Sequence, residues 1–193
     1  MSDLKLNRSD VMKRIMDVRN NALVITGLGS PVWDLAASDH RPENFYSWGG
    51  MGCAISMGLG CALAQADRKV WVITGDGEAL MGVGSLATVA AQRPTNLAII
   101  VLDNEHYGET GFQRSHTGLG TDLAAMAQGA GIGAVRTVRE MAELDEAGDM
   151  LRQSNGAAFV LLKVAVDDPP KVRIHWDAAY HKNRFRQALL GQP

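Results

Sequence analysis

Cysteine is nearly absent from this 193-residue chain: only Cys53 and Cys61 occur, eight apart. Both fall in one helix-like segment, too distant along its axis for an intrahelical disulfide. They read as small core residues in a reducing compartment, with the cytoplasm as default location. An excess of one charge is missing as well. Nineteen Lys and Arg against 21 Asp and Glu give a net charge of −2. That balance offers no electrostatic case for nucleic acid or an acidic membrane surface. Long hydrophobic runs are lacking too, since the most apolar stretches, residues 97–102 and 157–162, are strand-sized. The opening residues MSDLKLNRSD have no apolar core of the kind a signal peptide needs. No repeat, low-complexity linker or composition break divides the chain. A single domain over residues 1–193 is therefore expected, with residues 175–193 as a helical tail.

What is plentiful is glycine, 21 residues, set between alternating apolar runs and helical patterns. Residues 10–19 read as an amphipathic helix with Val11, Ile15 and Val18 on one face and Ser9 as N-cap. A short run at 22–26 breaks into the turn GLGSP, where Pro31 suits the first turn of a helix to about residue 37. Strands are expected at 45–48, 70–74, 97–102 and 158–166, and helices at 53–65, 78–92, 122–128, 141–153 and in the tail. Cys53, Cys61, Met57 and Leu63 read as helix packing, and Trp33, Trp48 and Trp71 as core or interface residues. The tail carries Lys182, Arg184 and Arg186 and reads as solvated or subunit-contacting. This alternation implies an α/β fold, a mostly parallel sheet with helices on both faces. Ligands of such sheets sit beyond the carboxyl ends of the strands. Three turns qualify: 27–30, 75–78 and 104–111.

The second and third of these turns carry the sharpest chemistry. Gly75-Asp76-Gly77 ends one expected strand, and Asn104 follows the next. A GDG alone says little, because glycine and aspartate are common in turns. Paired with a second oxygen ligand on the adjacent strand it says more. Mg²⁺ demands near-octahedral oxygen coordination from a few protein groups plus phosphate. Asp76 supplies a carboxylate, Asn104 an amide oxygen, and the backbone beyond Asn104 a carbonyl. Gly77 lets the main chain approach a phosphate, and the following helix offers N–H groups to it.

GDGEALMGVGSLATVAAQRPTNLAIIVLDN resembles the motif of thiamine diphosphate enzymes. GLGSPVWDL, YSWGGMGCAISMGLGCALA and LDNEHYGETGFQRSHTG extend the resemblance over about residues 22–166. Those stretches are similar to 2-oxo acid decarboxylases acting on sulfopyruvate and phosphonopyruvate, and the length matches the separate β subunit of the two-subunit type. The resemblance implies thiamine diphosphate and Mg²⁺ as cofactors. Asp76, the Asn104 side chain and the His106 carbonyl would hold the metal. Gly75, Gly77 and Glu78 would meet the diphosphate, with Gly29 and Ser30 nearby and Tyr107, Gly108 and Glu109 continuing the cofactor site. In GGMG, the Gly49 carbonyl would accept from the aminopyrimidine, while Met51 would wedge beneath the bent cofactor. Without that context Met51 reads as a core methionine.

Relatives also need a second domain, which binds the pyrimidine and supplies a glutamate to its N1′. No room for it is expected here, and Glu78, Glu105 and Glu109 lie too near the diphosphate motif to serve. A pyrimidine-binding α subunit and a hetero-oligomer are therefore expected. The implied reaction is decarboxylation of a small 2-oxo acid, with a carboligase or a non-catalytic cofactor-binding subunit as alternatives. His116 and Glu109 are candidates for substrate chemistry, with His106, Tyr107 and Arg114 beside them. Read blandly, the same segment is a solvated loop whose polar residues bond one another.

Overall fold

The computed structural model describes residues 6–191; residues 1–5 of the opening stretch and residues 192–193 of the expected tail lie outside the described residues. Strand-length apolar runs alternate with helices, and the runs assemble into one six-stranded parallel sheet. Its strands are β1 (Leu23–Thr26), β2 (Asn44–Tyr46), β3 (Val70–Gly75), β4 (Leu97–Asp103), β7 (Ala134–Val138) and β8 (Ala158–Lys163), in the order β2-β1-β3-β4-β8-β7. All five pairings are parallel. Successive side chains along the central strands enter opposite faces. In β4, Ala98, Ile100 and Leu102 join one apolar cluster, whereas Leu97, Ile99 and Val101 join the other. Each buried Leu, Ile or Val is worth roughly 1.5–3 kcal/mol, so this seven-residue strand, buried throughout, anchors the sheet.

Helices α1 (Arg8–Asp17), α2 (Ser30–Ser38) and α7 (Leu144–Gln153) cover the first face. Helices α3 (Ala54–Ala64), α5 (Ser85–Gln92) and α6 (Leu123–Ala130) cover the second, joined by Ala79 of α4 (Asp76–Met81). The last helix, α8 (Ala178–Leu190), docks against β2 at the sheet edge, where Phe185 meets Phe45 at 5.6 Å between ring centroids. Beyond β8, Val164 forms an isolated parallel bridge with Leu6.

Several boundaries differ from the sequence reading. Asn7, not Ser9, caps α1 by accepting from the Asp10 amide at 3.0 Å. The single helix expected over 78–92 is two, α4 and α5, broken at Gly82 to Gly84. A Cβ on Gly82 would stand 2.0 Å from the Gly52 carbonyl oxygen, so the glycine cluster before α3 packs directly on the break. Strand β7 was not expected. It lies at the sheet edge, is half-buried over most of its length, and carries Arg136, so it lacks a buried-strand signature. The strand expected to reach residue 166 ends at Lys163. Cys53 and Leu63 are exposed, which corrects their reading as core or packing residues, whereas the half-buried Cys61 packs with Met57 against the second apolar cluster. Of the tryptophans, Trp71 is core, while Trp33 and Trp48 pack on Trp176 beside the sheet. In the tail, Arg184 reaches the Asn44 carbonyl at 3.1 Å, so it is docked rather than solvated.

Candidate active site

Chain direction switches between β1 and β3, because β2 lies on one side of β1 and β3 on the other. A crevice opens at such a point beyond the strand ends. Here it is a cleft of about 120 Å³ between the turns after β1, β3 and β4. Gly29 and Ser30 line it from the first turn, Gly75 to Glu78 from the second, and Asn104 to Thr110, apart from the buried Glu105, from the third. Met51 forms part of the wall and is about one-third exposed, at 36%. The Gly49 carbonyl accepts from the Ser47 hydroxyl at 2.7 Å, and Gly49 itself lies outside the lining.

Asp76 opens α4 directly after β3, and its side chain is buried at 2% exposure. Its Oδ2 accepts a short hydrogen bond from the Ser115 hydroxyl and lies 3.2 Å from the Thr117 hydroxyl. Thr117 also donates to Asp103 Oδ1 at 2.8 Å, and Asp103 Oδ2 accepts from the Lys163 ammonium at 2.9 Å. Lys163 pairs in addition with Glu105 at 2.7 Å. A buried polar chain thus ties the ends of β3, β4 and β8 to the loop that follows Asn104. Burial pushes the Asp76 carboxyl up to about 6, and the neighbouring Asp103 charge adds to the rise. Three carboxylates, Asp76, Asp103 and Glu105, share one ammonium, which leaves this network short of positive charge.

The loop after β4 is more ordered than the sequence suggested. It holds a two-stranded antiparallel ribbon, β5 (His106–Tyr107) with β6 (Gln113–Arg114), and two 3-10 turns at Gly108–Thr110 and His116–Leu119. Asn104 Oδ1 accepts from the His106 amide at 2.9 Å, and the His106 ring bonds the Asn104 carbonyl at 2.9 Å. Both contacts fix the amide oxygen at the cleft. The Tyr107 ring covers Gly77, where an added Cβ would come within 2.5 Å of it. Glu78 holds its carboxylate at the ends of β1 and β3, accepting at Oε2 from the Leu28 amide at 3.1 Å and the Thr74 hydroxyl at 2.9 Å. It is a strut between the first two turns.

The family profile described as thiamine pyrophosphate enzyme, C-terminal TPP binding domain, matches residues 30–162. This chain belongs to that family. Sulfopyruvate decarboxylase subunit beta of Methanocaldococcus jannaschii is 41% identical over 131 residues, covering 67% of this chain and 69% of that protein. The subunit of the same name from Methanococcus maripaludis is 31% identical, covering 96% of this chain and 99% of that one. Phosphonopyruvate decarboxylase of Streptomyces hygroscopicus is 35% identical over 96% of this chain, which spans 46% of that longer protein. Among solved structures, benzoylformate decarboxylase from Polynucleobacter necessarius superposes with a TM-score of 0.71 at 18% identity. The match covers 86% of this chain and 34% of that one, a likeness of fold.

Within this thiamine pyrophosphate enzyme domain, the sequence-derived residues fall into two groups. Asp76, Asn104, His106, Tyr107, Gly108, Glu109, the Gly75 and Gly29 turns and Met51 share the cleft. His116 does not line it; its Nδ1 lies 3.2 Å from the Tyr107 hydroxyl, on the exposed side. Arg114 is exposed and bonds the Gly118 carbonyl within its own loop. The sequence reading passed over Ser115, Thr117, Asp103, Lys163 and Arg8. Hydroxyls and a lysine scattered over distant segments carry no motif, and only the fold collects them. Asp103 beside Asn104 was the one visible hint.

The donors suit a hard divalent cation. Among the described residues no three His, Cys, Asp or Glu side chains cluster to bind metal. A cation here would take the Asp76 carboxylate together with the Asn104 amide and backbone oxygens, a set that fits Mg²⁺ better than a softer ion.

Proposed function

We propose that this chain is the diphosphate- and Mg²⁺-binding subunit of a two-subunit thiamine diphosphate-dependent 2-oxo acid decarboxylase. The observation that carries the reading is Asp76, buried at the end of β3 and facing Asn104 across a glycine-lined cleft at the sheet's switch point. Asp76, the Asn104 side chain and the His106 carbonyl would hold the metal. The main chain at Gly29, Ser30, Gly75, Gly77 and Glu78 would meet the diphosphate, with Tyr107 and Gly108 closing over it. When bound, thiamine diphosphate supplies the electron sink that lets a carboxylate leave as CO₂. The protein's part is placement. Met51, with the Gly49 carbonyl behind it, would orient the pyrimidine end, and Glu109 would meet the substrate at the mouth, with the Tyr107–His116 pair beside it.

The match to proteins named as subunit beta, in one case over 99% of that protein, supports a partner chain. That partner would bind the pyrimidine and supply the activating glutamate. The names of the relatives favour a pyruvate-like substrate bearing a sulfonate or phosphonate. Co-purification of both chains, followed by CO₂ assays on a panel of 2-oxo acids, tests the reading. Thiamine diphosphate binding without CO₂ release from any of them would overturn it.

A further inference from the structure

Trp48 lies just past the end of β2, and only Gly49 and Gly50 separate it from Met51 on the cleft wall. This stretch has little packing of its own: a Cβ on Gly49 would meet nothing within 4 Å, and Gly50 stands at φ 72°. Its backbone bonds are local, from the Ser47 hydroxyl to the Gly49 carbonyl and from the Cys53 amide to the Gly50 carbonyl. Downstream, Gly52 packs on Gly82; upstream, the anchor is the Trp48 ring. That ring closes a triangle with Trp33 of α2 and Trp176. Centroids lie 5.4 Å apart for Trp33 and Trp48, 4.9 Å for Trp48 and Trp176, and 5.5 Å for Trp33 and Trp176. The buried Trp48 Nε1 has no hydrogen-bond partner among the described residues, so ring packing and apolar contact hold the side chain.

Trp176 comes from residues 165–177, which join β8 to α8 without helix or strand. At 72% exposure its indole adds little to the core, yet the chain on both sides of it is held closely. The Asp177 amide donates to His175 Nδ1 at 3.1 Å, the Ala179 amide to Asp177 Oδ1 at 2.8 Å, and His181 Nε2 to the His175 carbonyl. Ile174, two residues before Trp176, packs against the first apolar cluster. We propose that residues 175–181 are a positioning device for the pyrimidine end of the cofactor. By setting Trp176 against Trp48 they fix residues 49–51, and with them the Gly49 carbonyl and Met51. This rests on the proposed function and extends the cofactor site to a segment beyond the matched residues 30–162. The diphosphate end does not share the dependence. Glu78 ties its two turns together, and α2 is seated by Pro31, Val32, Asp34 and Leu35, all buried. Loosening Trp176 therefore frees one end of the cleft and leaves the other in place. Trp176 is a positioning residue, since it acts through Trp48.

The test is titration calorimetry of the full chain with thiamine diphosphate and, separately, with inorganic pyrophosphate, each with Mg²⁺. Pyrophosphate reads the diphosphate end alone. Trp176→Ser should melt within a few degrees of the parent, because the side chain is mostly solvated. It should bind thiamine diphosphate about tenfold more weakly and pyrophosphate as the parent does. Trp176→Phe, which keeps a ring against Trp48, should recover most of the loss. A loss that phenylalanine does not recover lies outside the ring contact and overturns the proposal. Unchanged thiamine diphosphate affinity in Trp176→Ser overturns it as well and leaves the proposed function standing. An equal loss for both ligands also overturns it, because Trp176 then supports the cleft as a whole. A parent chain that binds thiamine diphosphate no more tightly than pyrophosphate has no pyrimidine contact to position, which removes the proposal; one that binds neither removes the proposed function with it.

Discussion

Asp76 is where local chemistry and fold meet most closely. The Ser115 and Thr117 hydroxyls converge on one of its oxygens, and Asp103 raises its proton affinity from nearby. A divalent cation relieves that crowding of negative charge. Asp76→Ala should therefore abolish the Mg²⁺ dependence of cofactor binding, because a hard cation loses its one anionic protein ligand. Calorimetry with and without Mg²⁺ reads this directly, and retained metal-dependent affinity would sink the metal placement. Lys163 makes a different prediction. It neutralises Asp103 and Glu105 while nearly buried itself. Lys163→Met strands two carboxylates, and breaking a buried pair from one side costs about 3–5 kcal/mol. At roughly 2–4 °C per kcal/mol for a chain of this size, the melting temperature should fall by about 10 °C. A drop of only a degree or two in calorimetric melting would show that the network is not structural.

Among the elements, legibility followed the strength of periodic signals. β3, β4 and β8 could be read because their runs are long, apolar and buried on both faces. β7 could not, since an edge strand carrying Arg136 has only one residue fully buried. The α4–α5 break was hidden because GVG inside a helical pattern costs little until the Gly52 carbonyl is seen to need the space. The GDG turn and Asn104 were legible as a motif, whereas their supporting hydroxyls and Lys163 depend on contacts across 39 to 60 residues. The tail was read as a helix, but its docking was not. His181, buried on α8, meets Tyr46 edge-on at 5.3 Å and donates from Nε2 to the His175 carbonyl. Burial holds His181 below the ordinary imidazole range, and the Arg184 guanidinium adds to this against the His175 carbonyl and Asp177. His40, bonded to Tyr46 and Arg184, is lowered in the same way. The folded state therefore favours neutral rings, so the unfolded chain takes up protons first. Stability from these rings is complete above the unfolded value of 6.5 and is lost as pH falls below it. The protection of α8 amides, measured against the intrinsic exchange rate at each pH, should fall between about pH 7 and pH 5.5, along with a change in emission from Trp176. Protection that stays constant across that interval would rule out the histidine clasp.

For the whole molecule, the deciding feature is which surface the fold leaves uncovered. The sheet is capped on both faces and its β2 edge is covered by α8, and among the exposed apolar side chains two stand together beside the cleft. Met51 is 36% exposed on the cleft wall, and Met81, whose Cγ would lie 3.2 Å from a Cβ on Gly52, is 67% exposed beside it. Two adjacent methionines at the rim of a charged cleft are poorly placed for an isolated chain. They are well placed for a partner that closes over the cofactor, since methionine adapts its shape and is enriched at interfaces. The same closure would exclude water from the cleft mouth and so strengthen the charge contacts made there. Met81→Glu should leave the melting temperature of this chain within about 2 °C, because the side chain is mostly solvated. It should weaken association with the proposed pyrimidine-binding partner by tenfold or more, about 1.4 kcal/mol, by placing a charge where an apolar contact would form. Sedimentation of the mixed chains measures the affinity, and CO₂ release should fall in proportion to the complex formed. If the variant assembles as tightly as the parent, the partner approaches from another side, and Met51 must be held by this chain alone.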